Sequence, residues 1–195
     1  NNLRLERGMA HYNEPMAWAQ LILRGMSPSA LQGNTKAISL LFPMEAVFES
    51  FVAQTLPYEL PSHLKVIPQA ATYSLVKHGS NDCFKLRPDL LIQSRRPVQT
   101  KLVMDTKWKL INSNSQKTTQ YGLAQADFYQ MFAYGQKYLN GIGEMYLIYP
   151  AHDQFNQPIQ QHFAFSKTLK LWVVPYQITA NRGERMMWVK DVSSI

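Results

Sequence analysis

Two aspartates and a lysine stand where a hairpin would gather them. Arg87-Pro88-Asp89 leads into the apolar run Leu90-Leu91-Ile92, and after a basic, Pro-containing stretch Leu102-Val103-Met104 leads into Asp105-Thr106-Lys107. Two short apolar runs separated by the polar stretch Ser94 to Thr100 read as the strands and turn of a β-hairpin. Pairing symmetric about Pro97 sets Asp89 opposite Asp105. Directly opposed antiparallel residues have Cβ atoms about 4.5–5.5 Å apart, and like charges so placed repel. A divalent cation is the obvious counter-charge. Lys107 lies two residues beyond Asp105, so on a strand its side chain projects from the same face. A metal-binding carboxylate pair with an ammonium beside it suits phosphodiester hydrolysis. The plainer alternative is a solvated hairpin end with scattered charges, since an Asp-x-Lys triplet alone recurs by chance.

The flanking sequence supplies elements that could hold this hairpin. A helix is predicted from about Pro43 to Leu56, with Met44, Val47, Phe48, Phe51 and Val52 at helical spacing. A further helix spans about Leu123 to Leu139, with Phe128, Met131, Phe132 and Leu139 as its core stripe. Strand-like runs cover Lys65 to Pro68, Thr72 to Lys77, Pro88 to Gln93, Lys101 to Lys107, Glu144 to Tyr149, Gln160 to Phe165 and Leu169 to Ile178. Asn112 to Gln120, rich in Ser, Asn and Thr, reads as a mobile loop. Nearer the start, Asn13-Glu14-Pro15 has the cap, acid and early proline of a helix that stops near Gly25. This order points to an α/β domain around a mixed sheet. Residues 1–40 read as an N-terminal helical extension and 41–195 as the domain carrying the hairpin. The first residue is not Met, so the chain is read as the C-terminal part of a longer protein.

Bulk properties narrow the function classes. The 195 residues are 46% hydrophobic and 17% charged, an ordinary balance for one domain with a core. No apolar run approaches the roughly 18 residues of a membrane span, and the polar start Asn1-Asn2-Leu3-Arg4 is no signal peptide. A lone cysteine, Cys83, excludes an internal disulfide and fits a reducing, cytoplasmic setting. A net charge of +7 with a pI near 9.5 favours a polyanionic partner such as nucleic acid. No Gly-x-x-x-x-Gly-Lys phosphate loop occurs, so nucleotide hydrolysis by this chain is not expected. His11, His63, His78, His152 and His162 lack metal-ligand spacing. A Cys83–His78 nucleophile pair is possible on paper, but a lone Cys in a polar turn is usually inert.

Pro88-Asp89 followed by Asp105-Thr106-Lys107 resembles the core of the PD-(D/E)xK nuclease superfamily. Further blocks are Phe48-Glu49-x-Phe51-Val52, Leu86-Arg87-Pro88-Asp89-Leu90-Leu91-Ile92, Met104-Asp105-Thr106-Lys107-Trp108-Lys109 and Asp127-x-Tyr129-Gln130-Met131-x-Ala133-Tyr134. Taken in that order, over about residues 40–150, they resemble the McrC-type nuclease subunit of McrBC restriction systems. The last forty-odd residues carry no recognised motif.

The resemblance implies a restriction-endonuclease-like fold, α/β with a mixed β-sheet flanked by helices. It implies Mg²⁺, with Mn²⁺ able to substitute, held by Asp89 and Asp105, with the backbone carbonyl of Thr106 as a further ligand. Glu49 would reach the metal from its helix, directly or through water; Glu45, one turn earlier, is the alternative. Lys107 would orient or help deprotonate the attacking water, or neutralise charge developing in the transition state. Gln130 and Tyr134, at i and i+4, share a helix face and would lean over the site, unless Tyr134 merely packs. Arg87, Lys109, Arg95 and Arg96 flank the hairpin as candidate DNA contacts. The activity implied is a metal-dependent endodeoxyribonuclease on double-stranded DNA, activated by an McrB-like AAA+ GTPase, with two copies pairing transiently for double-strand cleavage. Alternatives are a motor-independent PD-(D/E)xK repair or junction nuclease, and a non-catalytic DNA-binding or scaffold module with a decayed nuclease fold.

Overall fold

The computed structural model describes residues 43–113 and 117–194. The expected extension over 1–40, with its helix from Asn13, lies outside the described residues. Helix α1 (Met44–Thr55) runs into a 3-10 turn (Leu56–Glu59) where Pro57 interrupts it. Strands follow as β1 (Leu64–Pro68), β2 (Ser74–His78), β3 (Asn81–Lys85), β4 (Leu90–Arg95) and β5 (Val98–Thr106). Helix α2 (Gln125–Tyr138) then leads to β6 (Gly143–Pro150), β7 (Phe163–Ala164) and β8 (Leu169–Tyr176).

Six strands form a mixed sheet in the order β1-β4-β5-β6-β8-β7. The β1-β4-β5 half is antiparallel, β5-β6-β8 is parallel, and short β7 closes antiparallel on β8. The architecture is α/β with a mixed sheet flanked by helices, consistent with a restriction-endonuclease-like fold. Among the described residues, no helix is long and apolar enough to cross a membrane.

Period-two alternation sorts the central strands between two cores. Leu90, Ile92, Leu102, Met104, Tyr146 and Ile148 join Phe48 and Val52 of α1 on one face. Leu91, Val103, Met145, Leu147 and Tyr149 join Met131, Tyr134 and Tyr138 of α2 on the other. Strands covered on both faces have no polar side, which is why β6 and β8 read as near-continuous apolar runs. Helix α2 comes close enough that a Cβ on Gly135 would lie 2.7 Å from Leu169 Cδ2 and 2.8 Å from Met145 Sδ.

The hairpin departs from the expected symmetry at its turn and keeps it at its open end. Leu90↔Met104, Leu91↔Val103 and Ile92↔Leu102 pair as symmetry about Pro97 requires. A bulge after Ile92 then shifts the register to Gln93↔Thr100, Ser94↔Gln99 and Arg95↔Val98. The strands therefore extend into the predicted turn, which shrinks to Arg96-Pro97. A bulge absorbs one extra residue without flipping the faces beyond it.

Other boundaries differ for identifiable reasons. The stripe of α2 is Met131, Tyr134, Gly135 and Tyr138, whereas Phe132 is 44% exposed and leans on Phe165. The predicted strand from Gln160 to Phe165 shrinks to two residues. Strand β3 was invisible in the sequence because Asn81-Asp82-Cys83-Phe84-Lys85 lacks alternation; it pairs only with β2, in a separate two-stranded sheet.

Candidate active site

Asp89, Asp105 and Lys107 share the parity of Leu91 and Val103, so all belong to the face of the sheet covered by α2. Asp89 stands one step beyond the last ladder pair, Leu90↔Met104, and Asp105 one step beyond it on the facing strand. At this end the apolar rows give way to an open cleft of about 430 Å³. Glu45, Glu49, Asp89, Asp105 and Asp127 contribute carboxylates to its lining, against the ammonium groups of Lys107 and Lys109.

Asp89 is fastened rather than free. Its Oδ2 accepts from both the Thr106 N–H and the Thr106 hydroxyl, each at 2.7 Å. Sequence reasoning expected Thr106 to serve through its carbonyl; the structure adds this clamp, which ties the two aspartate-bearing strands beyond their ladder. Gln69, in the left-handed region at φ 50°, donates its backbone N–H to the Asp89 carbonyl at 2.8 Å and its side-chain amide to Glu49. Helix α1 and strand β4 are thereby linked through one residue that carried no sequence signal.

Asp105 is 1% exposed. Its Oδ2 has Lys107 Nζ at 2.5 Å as an ion-pair contact and no other polar partner among the described residues. Burial, then the nearby Asp89 charge, pushes the Asp105 carboxyl up from 3.8 to about 7 against the opposing pull of Lys107. A buried carboxylate with one cation in contact is under-neutralised.

Lys107 is surrounded more fully. Beyond Asp105 it donates to Gln130 Oε1 at 3.0 Å and lies 3.8 Å from Asp127 Oδ1. Burial alone would lower its pKa, but Asp105, Asp127 and Asp89 together outweigh burial and raise it. The lysine is therefore held as a cation in this state, not poised as a base. Gln130 is fixed in turn by the Tyr134 hydroxyl, which accepts from its Nε2 at 2.8 Å and donates to the Arg87 carbonyl at 2.9 Å. Burial, with Asp105 next, pushes that phenol up to about 12, so it stays a donor. Tyr134 is buried, yet it does more than pack.

Sequence reasoning missed Asp127, although it quoted the block containing it. Its Oδ2 lies 3.4 Å from the Tyr149 hydroxyl, at the end of β6. The i, i+3 spacing of Asp127 and Gln130, one turn of α2, was the available signal. Trp108, also missed, lines the cleft and stacks obliquely on Phe48 at 5.5 Å.

The four basic candidates separate. Lys109 lines the cleft, with Nζ 2.6 Å from the Gly122 carbonyl. Arg87 adjoins the site through its backbone and its side chain is exposed. Arg95 and Arg96 lie at the turn, the other end of a six-residue strand, which at about 3.4 Å per residue is roughly 20 Å away. Arg95 instead donates to the carbonyls of Ser62 at 2.9 Å and Leu64 at 3.2 Å.

The donor set fits a hard divalent cation. Magnesium binds through one or two carboxylates and keeps waters and a phosphate oxygen as its other ligands. Asp105 offers a buried oxygen whose one partner among the described residues is Lys107, Asp89 keeps Oδ1 outside its clamp, and Glu49 lines the same cleft. Among the described residues, no three His, Cys, Asp or Glu side chains already converge as a metal cage. Solvent and substrate would have to complete the shell, as they do for magnesium.

Comparison with known proteins places the sequence. No curated protein matches it. Among solved structures, the half-complex from the tetradecameric assembly of Thermococcus gammatolerans McrB AAA+ hexamers with bound McrC is similar over 85% of this chain, at 14% identity and a TM-score of 0.49. The present chain spans 42% of the length of that relative. The sequence model of the McrBC 5-methylcytosine restriction system component matches residues 1–150 of the 195. With the match covering well over half of it, the chain belongs to the McrBC 5-methylcytosine restriction system component family.

Proposed function

We propose that this chain is the nuclease part of an McrC-type subunit, a Mg²⁺-dependent endodeoxyribonuclease of the PD-(D/E)xK kind that hydrolyses double-stranded DNA when an McrB-like AAA+ GTPase activates it. The observation that carries the reading is the meeting of Asp89, Asp105 and Lys107 on one face at the open ends of adjacent strands, with the buried Asp105 Oδ2 contacted by Lys107 alone among the described residues. Membership of a restriction system family supports it. A cytoplasmic setting and transient pairing of two copies, to supply one site per strand, complete the proposal.

Asp89 and Asp105, with Glu49 from α1, would hold the cation; Mn²⁺ would serve as well. When bound, the metal supplies Lewis-acid polarisation of the scissile phosphate and a lowered pKa for a water. The chain's own groups do the rest. The Thr106 clamp keeps Asp89 in place without using its Oδ1. Lys107 places a fixed positive charge beside Asp105, where charge develops on the phosphate oxygens. Gln130 and Tyr134 hold that ammonium in position, so little reorganisation accompanies the reaction. Lys109, from the cleft lining, and the exposed Arg87 would meet flanking phosphates.

The test is nicking of supercoiled plasmid with Mg²⁺ or Mn²⁺, with and without the cognate motor and GTP. Cleavage that disappears in Asp105→Ala and in Lys107→Ala would locate the activity on this hairpin. Cleavage only with motor and GTP would favour the McrC-type reading over a motor-independent repair nuclease. A folded, DNA-binding protein that cuts under neither condition would leave a non-catalytic module as the better account.

A further inference from the structure

Strands β2 and β3 make a two-stranded ribbon that belongs to neither core. It pairs with no strand of the main sheet. Seven consecutive residues, Leu75 to Asn81, are exposed, as are Asp82, Phe84 and Lys85. A ribbon exposed on both faces stands off the body and buries little of its own apolar surface. Leu75 is 41%, Val76 46% and Phe84 74% exposed, and Phe84 is held in the left-handed region at φ 58°. Keeping a bulky residue there and in water costs free energy with no return among the described residues.

Both legs of the ribbon are rooted at the cleft. Before it, Gln69 bonds the Asp89 carbonyl. At its base, the Leu86 N–H donates to the Tyr73 carbonyl at 2.9 Å. The Tyr73 ring packs edge-on against Tyr138 at 4.9 Å, and the Tyr138 hydroxyl lies 3.0 Å from the Ala70 and Leu86 carbonyls. After it, Leu86-Arg87-Pro88 leads directly to Asp89. Tyr134 and Tyr138, one turn apart on α2, therefore fasten the ribbon's root to the helix that positions Lys107.

We infer that the β2–β3 ribbon is a DNA-binding arm that enters the major groove of the duplex whose backbone lies in the cleft. This rests on the nuclease reading above. Three observations select duplex DNA as the occupant. The major groove, about 12 Å wide, admits a two-stranded β-ribbon. The tip Lys77-His78-Gly79-Ser80-Asn81-Asp82 is wholly polar, with donors and acceptors for base edges, and Gly79 takes the positive φ of 60° that the turn needs. The arm and its root add Lys77, Lys85 and Arg87, against Asp82 alone. Asp82 lies 3.8 Å from Lys77 in an exposed pair that a phosphate could displace at little cost. Leu75, Val76 and Phe84, nearer the root, would face sugars and thymine methyl groups. The five residues from Asn81 to Lys85 span about 17 Å at about 3.4 Å each, so the tip would reach roughly five base pairs from the cut.

The experiment measures duplex affinity of the full chain by fluorescence anisotropy, without divalent cation, across a salt series. The double variant Lys77→Ala/Lys85→Ala should bind about tenfold more weakly, with a log–log salt slope shallower by about 1.8 for two lost phosphate contacts. Phe84→Ser should weaken binding with the slope unchanged. Lys167→Ala, at an exposed lysine outside both the cleft and the ribbon, should bind as the parent does, which separates the arm from a general loss of positive charge. If the parent never cuts DNA but the arm variants still lose affinity, the arm stands and the nuclease reading falls. Unchanged affinity and slope in the double variant would overturn the arm. So would variants that alter the mass of a self-associated or protein-bound species while binding DNA normally, since the apolar surface would then belong to a protein contact. Far-UV circular dichroism and an unchanged melting midpoint establish that each variant folds.

Discussion

The two ends of the β4–β5 hairpin carry similar charges in opposite surroundings. At the turn, Arg95 and Arg96 are exposed, and Arg95 donates to the backbone carbonyls of Ser62 and of Leu64, the first residue of β1. At the open end, Asp105 is 1% exposed, and Lys107 is enclosed by Asp105, Gln130 and Asp127. Water screens the first set, so its charges act weakly and independently. Protein covers the second set, so each charge alters its neighbours' protonation and must be compensated. Helix α2 makes the difference: it closes over one end of the hairpin and leaves the other bare. Residue type nominates a catalytic group, and burial decides whether it behaves as one.

The largest expected contrast is in cleavage. Asp105→Ala and Lys107→Ala should each lower the initial nicking rate by about 10³-fold or more, while Arg95→Ala and Arg96→Ala should stay within about twofold. A comparable loss at the turn would break the distinction between the ends. One layer out, Gln130→Ala should cost about 10–100-fold in rate, and Tyr134→Phe less, because each positions Lys107 through another group. Measuring kcat and KM for DNA separately should show the loss mainly in kcat.

The third expectation concerns stability and its sign with pH. Burial and Asp89 raise the Asp105 carboxyl from 3.8 to about 7. Between those values the folded, metal-free protein retains a proton that the unfolded chain has released. The native state therefore binds more protons, and stability should fall as pH rises through that window, opposite to the usual carboxylate. Asp105→Asn should remove this decline and raise the metal-free midpoint near neutral pH, by about 1–3 kcal/mol in stability. Thermal melts from pH 4 to 8 check it, and added Mg²⁺ should stabilise the parent more than the variant. A variant that melts lower with an unchanged pH profile would mean that Lys107 already neutralises Asp105 fully. The smallest effect is expected at the turn: Arg95→Ala should cost under about 1 kcal/mol in urea melts, with no dependence on pH in this range.

Much of the site could be read without coordinates because it depends on short-range periodicity. Leu90-Leu91-Ile92 and Leu102-Val103-Met104 pair as their symmetry about Pro97 suggests, and a period of two puts Asp105 and Lys107 on one face. The 3.6-residue period does the same for Gln130 and Tyr134 on α2. The mixed sheet followed from the order of apolar runs. These features survive because a strand or helix imposes its repeat whatever surrounds it.

The remaining features depend on segments far apart in sequence. The bulge after Ile92 tightened the turn to Arg96-Pro97, and the length of β4 leaves Arg95 and Arg96 roughly 20 Å from the cleft. Asp127 joins the site because α2 crosses the end of β5, and Gln69 because a left-handed residue bridges Glu49 to Asp89. The β2–β3 ribbon lacks alternation because neither of its faces is buried in a core of the described residues. The cationic state of Lys107 and the raised carboxyl of Asp105 are sums over groups from β4, β5 and α2 in a water-poor space. Local repeats thus named the reacting groups and the face they share, while long-range packing set their burial, their partners and their charge, since Coulomb energies depend on distances and a dielectric that exist only once the chain is folded.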